Sequence, residues 1–150
     1  MRVAVLMGSA NDRPRMAPAL EVLRQFGVDA DERVLSAHRT PQAVADFATS
    51  ARSEGYAALI CGAGRAAHLA GACAAHTTLP VVGVPLSGGP LGGVDALYST
   101  VQMPSGVPVA TVAVDGAANA ALLVVQMLAI SDPGLAARLE EHRRELGGGR

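Results

Sequence analysis

Three short segments of this 150-residue chain concentrate the side chains able to do chemistry. Ser36-Ala37-His38-Arg39-Thr40-Pro41 places a hydroxyl, an imidazole and a guanidinium within four residues. The planar fork of Arg39 suits a phosphate by bidentate hydrogen bonding. An imidazole is the side chain of this segment that titrates near neutral pH, as a proton-transfer group must. A lone histidine is more often structural, but His38 stands beside an arginine at the end of a strand-like run and reads as functional. Gly8-Ser9-Ala10-Asn11-Asp12 offers a glycine for close approach, a hydroxyl and a carboxylate. Ser9 with backbone amides could hold a phosphate and Asp12 a ribose hydroxyl; the same residues also make an ordinary capped helix start. The third segment, Gly62-Ala63-Gly64-Arg65-Ala66-Ala67-His68, is glycine-rich and carries a second histidine.

Other chemistries compete for these residues. Gly62-x-Gly64-x-x-Ala67 has the outline of a dinucleotide fingerprint, the mark of a nicotinamide- or flavin-dependent oxidoreductase. That reading needs an acidic residue about 20 positions on to hold the ribose, and no Asp or Glu follows before Asp95. His68, Cys73 and His76 suggest a metal hydrolase, but their spacing fits no compact zinc motif and no carboxylate cluster joins them. A nucleotide-binding module without turnover also fits phosphate and ribose contacts alone.

The elements that must position these segments alternate. Val3–Met7 reads as a strand ending at Gly8-Ser9, followed by a helix over Arg13–Phe26. Asn11-Asp12 are suited to cap that helix, and Pro18 argues for a start nearer Arg15. Val28–Leu35 is a second strand and Pro41–Glu54 a helix. Tyr56–Cys61 is a third strand, with a glycine turn at Gly62–Arg65 and a helix over Ala66–His76. Val81–Val84, a short helix near Val94–Thr100 and a strand at Val107–Val114 continue the pattern. This spacing predicts an α/β fold with a doubly wound parallel sheet in flavodoxin-like order, a three-layer sandwich. Ligands bind at the carboxyl ends of such strands, where all three segments fall. Ala117–Ile130 carries no charge and no clear polar face, so it is predicted to be buried nearly all round, between subunits or under the next helix. A charged terminal helix is predicted over about 133–146, with Gly147–Arg150 a frayed tail.

Bulk properties narrow the class. A chain this long, half apolar, fits a single domain over 1–150. Net charge is −1 and the aromatics are two Tyr and two Phe, which leaves neither the basic footprint nor the stacking platform of a nucleic-acid binder. The Val3–Met7 run lacks a signal-peptide cleavage site, and the uncharged Gly116–Ser131 stretch is too short for a bilayer, so no membrane partner and a cytoplasmic location are expected. Cys61 and Cys73 are then expected as free buried thiols rather than a disulfide.

With these segments in place the sequence resembles the aminoimidazole ribonucleotide carboxylase and mutase family. The matching motifs run from Val3 to Ile130: MGSANDR at Met7–Arg13, SAHRTP at Ser36–Pro41, GAGRAAHLAG at Gly62–Gly71, GVDALYSTVQMPSGVPV at Gly93–Val109 and GAANAALL at Gly116–Leu123. The resemblance implies an α/β homo-octamer with active sites between subunits, a ribonucleotide substrate, and neither metal nor organic cofactor. It implies His38 as the catalytic acid and base, with Ser9, Asp12, Ser36, Ala37, Arg39, Gly64, Arg65 and His68 binding substrate. Two reactions are open. A mutase, an isomerase, moves a carboxylate from the exocyclic nitrogen of N5-carboxyaminoimidazole ribonucleotide to ring carbon 4 in purine biosynthesis. A direct carboxylase, a carboxy-lyase, joins carbon dioxide to aminoimidazole ribonucleotide. SAHRTP and AAHL match the mutase branch. Asn11 stands where that branch usually has Ser, Arg65 where it has Gly, and Ala70 where it has Pro; Ala63-Gly64-Arg65 is similar to the carboxylase branch. A diverged relative working on another imidazole nucleotide is the third reading.

Overall fold

The computed structural model describes residues 1–148. Strands β1 (Arg2–Met7), β2 (Asp29–Val34), β3 (Tyr56–Gly64), β4 (Val81–Leu86) and β5 (Ala110–Thr111) alternate with helices α1 (Arg13–Gln25), α2 (Pro41–Ser50), α3 (Leu69–His76), α4 (Val94–Val101) and α5 (Ala117–Ala129); α6 (Pro133–Gly148) ends the described chain. The sheet is five-stranded and parallel in the order β2-β1-β3-β4-β5, the flavodoxin-like arrangement.

The two faces of the sheet divide by the strand period of two. Val3, Val5, Met7, Ala58 and Ile60 pack with Met16, Ala19 and Leu23 of α1, Ala121, Val124 and Val125 of α5, and Leu135 of α6. Ala4, Leu6, Leu59 and Cys61 point the other way, onto Val44 and Phe47 of α2 and Leu69 and Cys73 of α3. Cys61 and Cys73 are free and buried.

Several boundaries differ from the sequence reading, each for a reason that lies in a neighbour. The Gly62–Arg65 turn is largely strand: β3 runs on to Gly64 because Met7 on one side and Pro85 and Leu86 on the other supply its backbone partners. β4 likewise extends past Val84 to Leu86. The expected strand Val107–Val114 shrinks to Ala110–Thr111; Pro108 and Pro85 have no N–H to give to a ladder there. α3 starts at Leu69 rather than Ala66: the chain leaves the left-handed Arg65, φ 54°, through a tight turn in which the His68 N–H donates to the Ala66 carbonyl at 3.0 Å, and only then enters the helix. α1 begins at Arg13 despite Pro18, which forfeits one backbone bond. Asp12 takes the N-cap position of α1 as expected but makes no side-chain cap bond; Ser9 caps the short 3-10 turn Ala10–Asp12 before it, accepting from the Asn11 N–H at 3.2 Å. β2 starts at Asp29 and α2 stops at Ser50, each shorter than expected.

Within one chain the Ala117–Ile130 segment is not buried all round: α1 and α6 cover it on two sides, while Asn119, Gln126 and Ile130 are exposed. The terminal helix reaches Gly148, beyond the expected 146, so Gly147 and Gly148 are helical rather than frayed. The rest of that expected tail, Gly149 and Arg150, lies outside the described residues. Among the described residues no helix is long and apolar enough to cross a membrane.

Candidate active site

At the carboxyl edge of the sheet the turns after β1, β2 and β3 enclose a cavity of about 490 Å³. Ser9, Asp12, Ser36, Ala37, His38, Arg39, Gly64, Arg65 and His68 all line it, so the structure brings together every site residue read from the sequence. Gly8, Asn11, Ala63, Ala66, Leu69 and Gly88 complete the wall. Gly88 was missed as a site residue although it follows β4; the carboxyl-end rule that selected the other three turns would have selected this one too.

The turn after β2 is built by its own side chains. The Thr40 N–H donates to the Ser36 carbonyl at 2.8 Å, the Ser36 N–H to Thr40 Oγ1 at 3.1 Å, and the Arg39 N–H to Ser36 Oγ at 3.1 Å. Ser36 and Ser9 are therefore in the same state. Each hydroxyl oxygen accepts one local amide, which leaves the O–H as a donor toward an anion in the cavity. Thr40, whose hydroxyl closes this turn, lies in the SAHRTP segment but was given no role in the sequence reading.

His38 and His68 come from turns 30 residues apart and meet with Nε2 and Nδ1 at 2.6 Å, their rings edge to face at 86°. At that separation one proton fits between the two nitrogens, so one ring donates and the other accepts. The contact holds the His38 ring while leaving its second nitrogen for another partner.

Charge in the cavity favours an anion. Arg39 and Arg65 have no carboxylate ion-pair partner among the described residues, and Asp12 is the one carboxylate in the lining. Burial raises the Asp12 carboxyl above its ordinary pKa, against the opposing charge of Arg15 and a hydrogen bond with the Ser9 backbone. Partly desolvated carboxylates of this kind are common at functional sites.

The competing chemistries find less support in the geometry. Gly62 and Gly64 lie within β3 and the helix begins only at Leu69, so no glycine turn runs straight into a helix as a pyrophosphate site requires. Cys73 is buried against Cys61, whose thiol is pushed up by its hydrogen bond with Cys73 and by burial. Among the described residues no three His, Cys, Asp or Glu side chains stand close enough to share a metal ion.

Comparison with known proteins agrees with this arrangement. The AIR carboxylase family model matches residues 2–147. A curated relative from Aquifex aeolicus, named N5-carboxyaminoimidazole ribonucleotide mutase, is 52% identical over 138 residues, covering 92% of this chain and 83% of that protein. One of the same name from Saccharolobus solfataricus is 50% identical over 145 residues, covering 97% of this chain and 92% of its own. The crystal structure of Treponema denticola PurE superposes with a TM-score of 0.89 at 26% identity, over 98% of this chain and 92% of that one.

Proposed function

Because the chain belongs to the AIR carboxylase family, we propose that its cavity performs the reaction for which its half-identical relatives are named. It is an N5-carboxyaminoimidazole ribonucleotide mutase, an isomerase of purine biosynthesis. The observation that carries the site assignment is the His38–His68 pair at 2.6 Å in a cavity otherwise lined by phosphate and ribose partners. Ser9, Ser36 and Arg39 take the phosphate: two free hydroxyl protons and one unpaired guanidinium. Asp12 accepts from the ribose. Ala37 and Gly64 offer backbone without side-chain bulk where the base must approach.

The bond between the exocyclic nitrogen and the carboxyl carbon breaks, releasing carbon dioxide while His38 delivers a proton to that nitrogen. Carbon 4 then attacks the carbon dioxide held in the cavity, and His38 takes the proton that carbon 4 loses. One proton leaves the imidazole and one returns, so the step balances without an outside acid or base. Holding both fragments spares the entropy of a bimolecular encounter. His68 orients the His38 ring through their shared proton.

Direct carboxylation is the second reading, favoured by Arg65: a guanidinium in the cavity can neutralise a carboxylate or gather bicarbonate. In either case Arg65 faces the base and its carboxylate. The enzyme acts as a homo-octamer in the cytoplasm, a reading supported by the sequence resemblance and by the apolar surface of α4 beside the cavity.

Assays with each ribonucleotide, with and without bicarbonate, separate the two. The mutase turns over N5-carboxyaminoimidazole ribonucleotide with no bicarbonate added. Turnover of aminoimidazole ribonucleotide alone, in proportion to bicarbonate, would assign the direct carboxylase instead.

A further inference from the structure

Among the described residues two that are not glycine have left-handed backbone, Arg65 at φ 54° and Asp115 at φ 58°. Side chains seldom adopt this conformation, and where they do the surroundings hold them there. The side chains of both reach the same segment, the Ser87–Gly93 turn after β4. From one side, Asp115 accepts from the Ser87 N–H at 3.0 Å with Oδ1 and from the Ser87 hydroxyl with Oδ2. Its own N–H donates to the Pro85 carbonyl at 2.8 Å, and Arg15 Nε stands 3.8 Å from Oδ1. From the other side, Arg65 lays its stem over Gly89, with Cγ 2.9 Å and Cδ 3.7 Å from where a β-carbon on that glycine would stand. Residue 89 must lack a side chain for Arg65 to lie there. Gly88, between the two clamps, is cavity wall.

We propose that Asp115 is a positioning residue: through Ser87 it holds the Gly88–Gly89 backbone on which the Arg65 stem rests, and so sets where the Arg65 guanidinium stands in the cavity. This rests on the reading of Arg65 as the contact for the substrate carboxylate. A purely conformational role would not need a carboxylate, since glycine takes a left-handed turn with less strain. Here both carboxylate oxygens accept from one serine, with Arg15 near Oδ1, which makes the side chain a brace for the loop.

The test is Asp115→Gly in the full-length assembled protein, alone and in an Arg65→Gly background, with steady-state kinetics on N5-carboxyaminoimidazole ribonucleotide and thermal unfolding of each variant. Glycine relieves the left-handed φ and so offsets part of the two hydrogen bonds lost in Asp115→Gly; the melting curve is the control that each variant is folded at the assay temperature. Asp115→Gly should lose about tenfold to 10²-fold in kcat/KM, the upper figure being the scale of a 1 Å misplacement. In the Arg65→Gly background the same change should alter kcat/KM by no more than about twofold, because the side chain it acts through is already gone, which is the non-additivity of coupled sites. Asp115→Asn, which keeps an acceptor for the Ser87 amide, should recover part of the loss. Unchanged kcat/KM in Asp115→Gly overturns the proposal, and so does an equal loss in both backgrounds, which is also what a damaged fold would produce. Arg65→Gly with unaltered kinetics would instead remove the role of Arg65 itself, and that result is visible before Asp115 is touched.

Discussion

His38 and Asp12 face the same cavity and make opposite demands on the protein. Replacing His38 with Asn keeps hydrogen-bonding capacity near His68 and removes the group that accepts and returns a proton. Turnover should fall by about 10²-fold or more, the scale of general acid–base catalysis, while calorimetry shows the ribonucleotide still bound. Near-normal turnover in an intact assembly would move the catalytic role to His68. Asp12 is held at some cost to folding. Its carboxyl is raised chiefly by burial. A carboxyl raised on folding contributes stability below its unfolded pKa, and that contribution is lost as pH rises through the folded value, so at neutral pH the ionised form burdens the native state. Asp12→Asn should therefore raise the melting temperature at neutral pH, and the gain over the parent should vanish as pH falls below the carboxylate range. The same variant should bind the ribonucleotide more weakly. A lower melting temperature at neutral pH would show that Asp12 is stabilised by its partners rather than burdened by burial.

At the scale of elements, the site depends on how closely helices approach the sheet. Gly83 in β4 is the point where three elements converge. A β-carbon there would meet Thr100 Cγ2 of α4 at 2.4 Å, Val109 Cγ1 at 3.0 Å and the Ala70 β-carbon of α3 at 3.3 Å. Thr100 cannot turn its methyl away freely, because its hydroxyl donates to the Ala96 carbonyl at 2.7 Å. Gly62 in β3 meets only the Met16 side chain, with Sδ at 2.3 Å, and a thioether has three torsions with which to move. Gly83→Ala should thus destabilise by about 1–3 kcal/mol, the usual cost of overpacking, and by more than Gly62→Ala. Denaturant midpoints of the two variants decide the order, and a reversed order would show that the α4 contact yields more easily than the Met16 packing. β2, the edge strand leading to His38, is anchored at its polar side chains: Tyr56 donates to Asp31, and Arg33 donates to Asp31 at 2.8 Å. Burial pushes the Asp31 carboxyl up, but these hydrogen bonds and the charges of Arg33 and Arg2 outweigh it and hold the pKa below its ordinary value.

For the whole molecule the unpartnered apolar surface lies mainly on α4 and the turn before it. Leu91, Val94, Tyr98 and Val101 follow at helical spacing and are exposed, Leu91 and Tyr98 at 64% each. Away from this stripe Ile130, at the end of α5, is 88% exposed. A contiguous apolar stripe beside a cavity marks an interaction surface, and copies of this chain are the partner proposed for it. Light scattering should give a multiple of 15.2 kDa, and Tyr98→Glu should lower the assembled mass by placing a charge in the contact. A stable monomer of the parent chain at micromolar concentration would remove the octamer from the proposal.

The order of the elements and the convergence of three loops were legible in the sequence for one physical reason. Parallel strands need helical crossovers, and crossovers return every strand's carboxyl end to the same edge. Reading Ser9, Asp12, Ser36, His38, Arg39 and His68 as neighbours required only that rule and the motifs around them. Strand lengths were not legible, since β3 is extended and β5 curtailed by what the adjacent strand can donate or accept. The exposed edge of α5 was hidden for a similar reason: an Ala- and Leu-rich helix has no polar face to read, and only α1 and α6 decide which side they cover. Contacts between distant residues were beyond the sequence altogether. His38 on His68, Arg65 on Gly89 and Asp115 on Ser87 join positions separated by 30, 24 and 28 residues. Each depends on tenths of an ångström in backbone placement, which residue type and spacing do not specify and which packing of the whole sheet does.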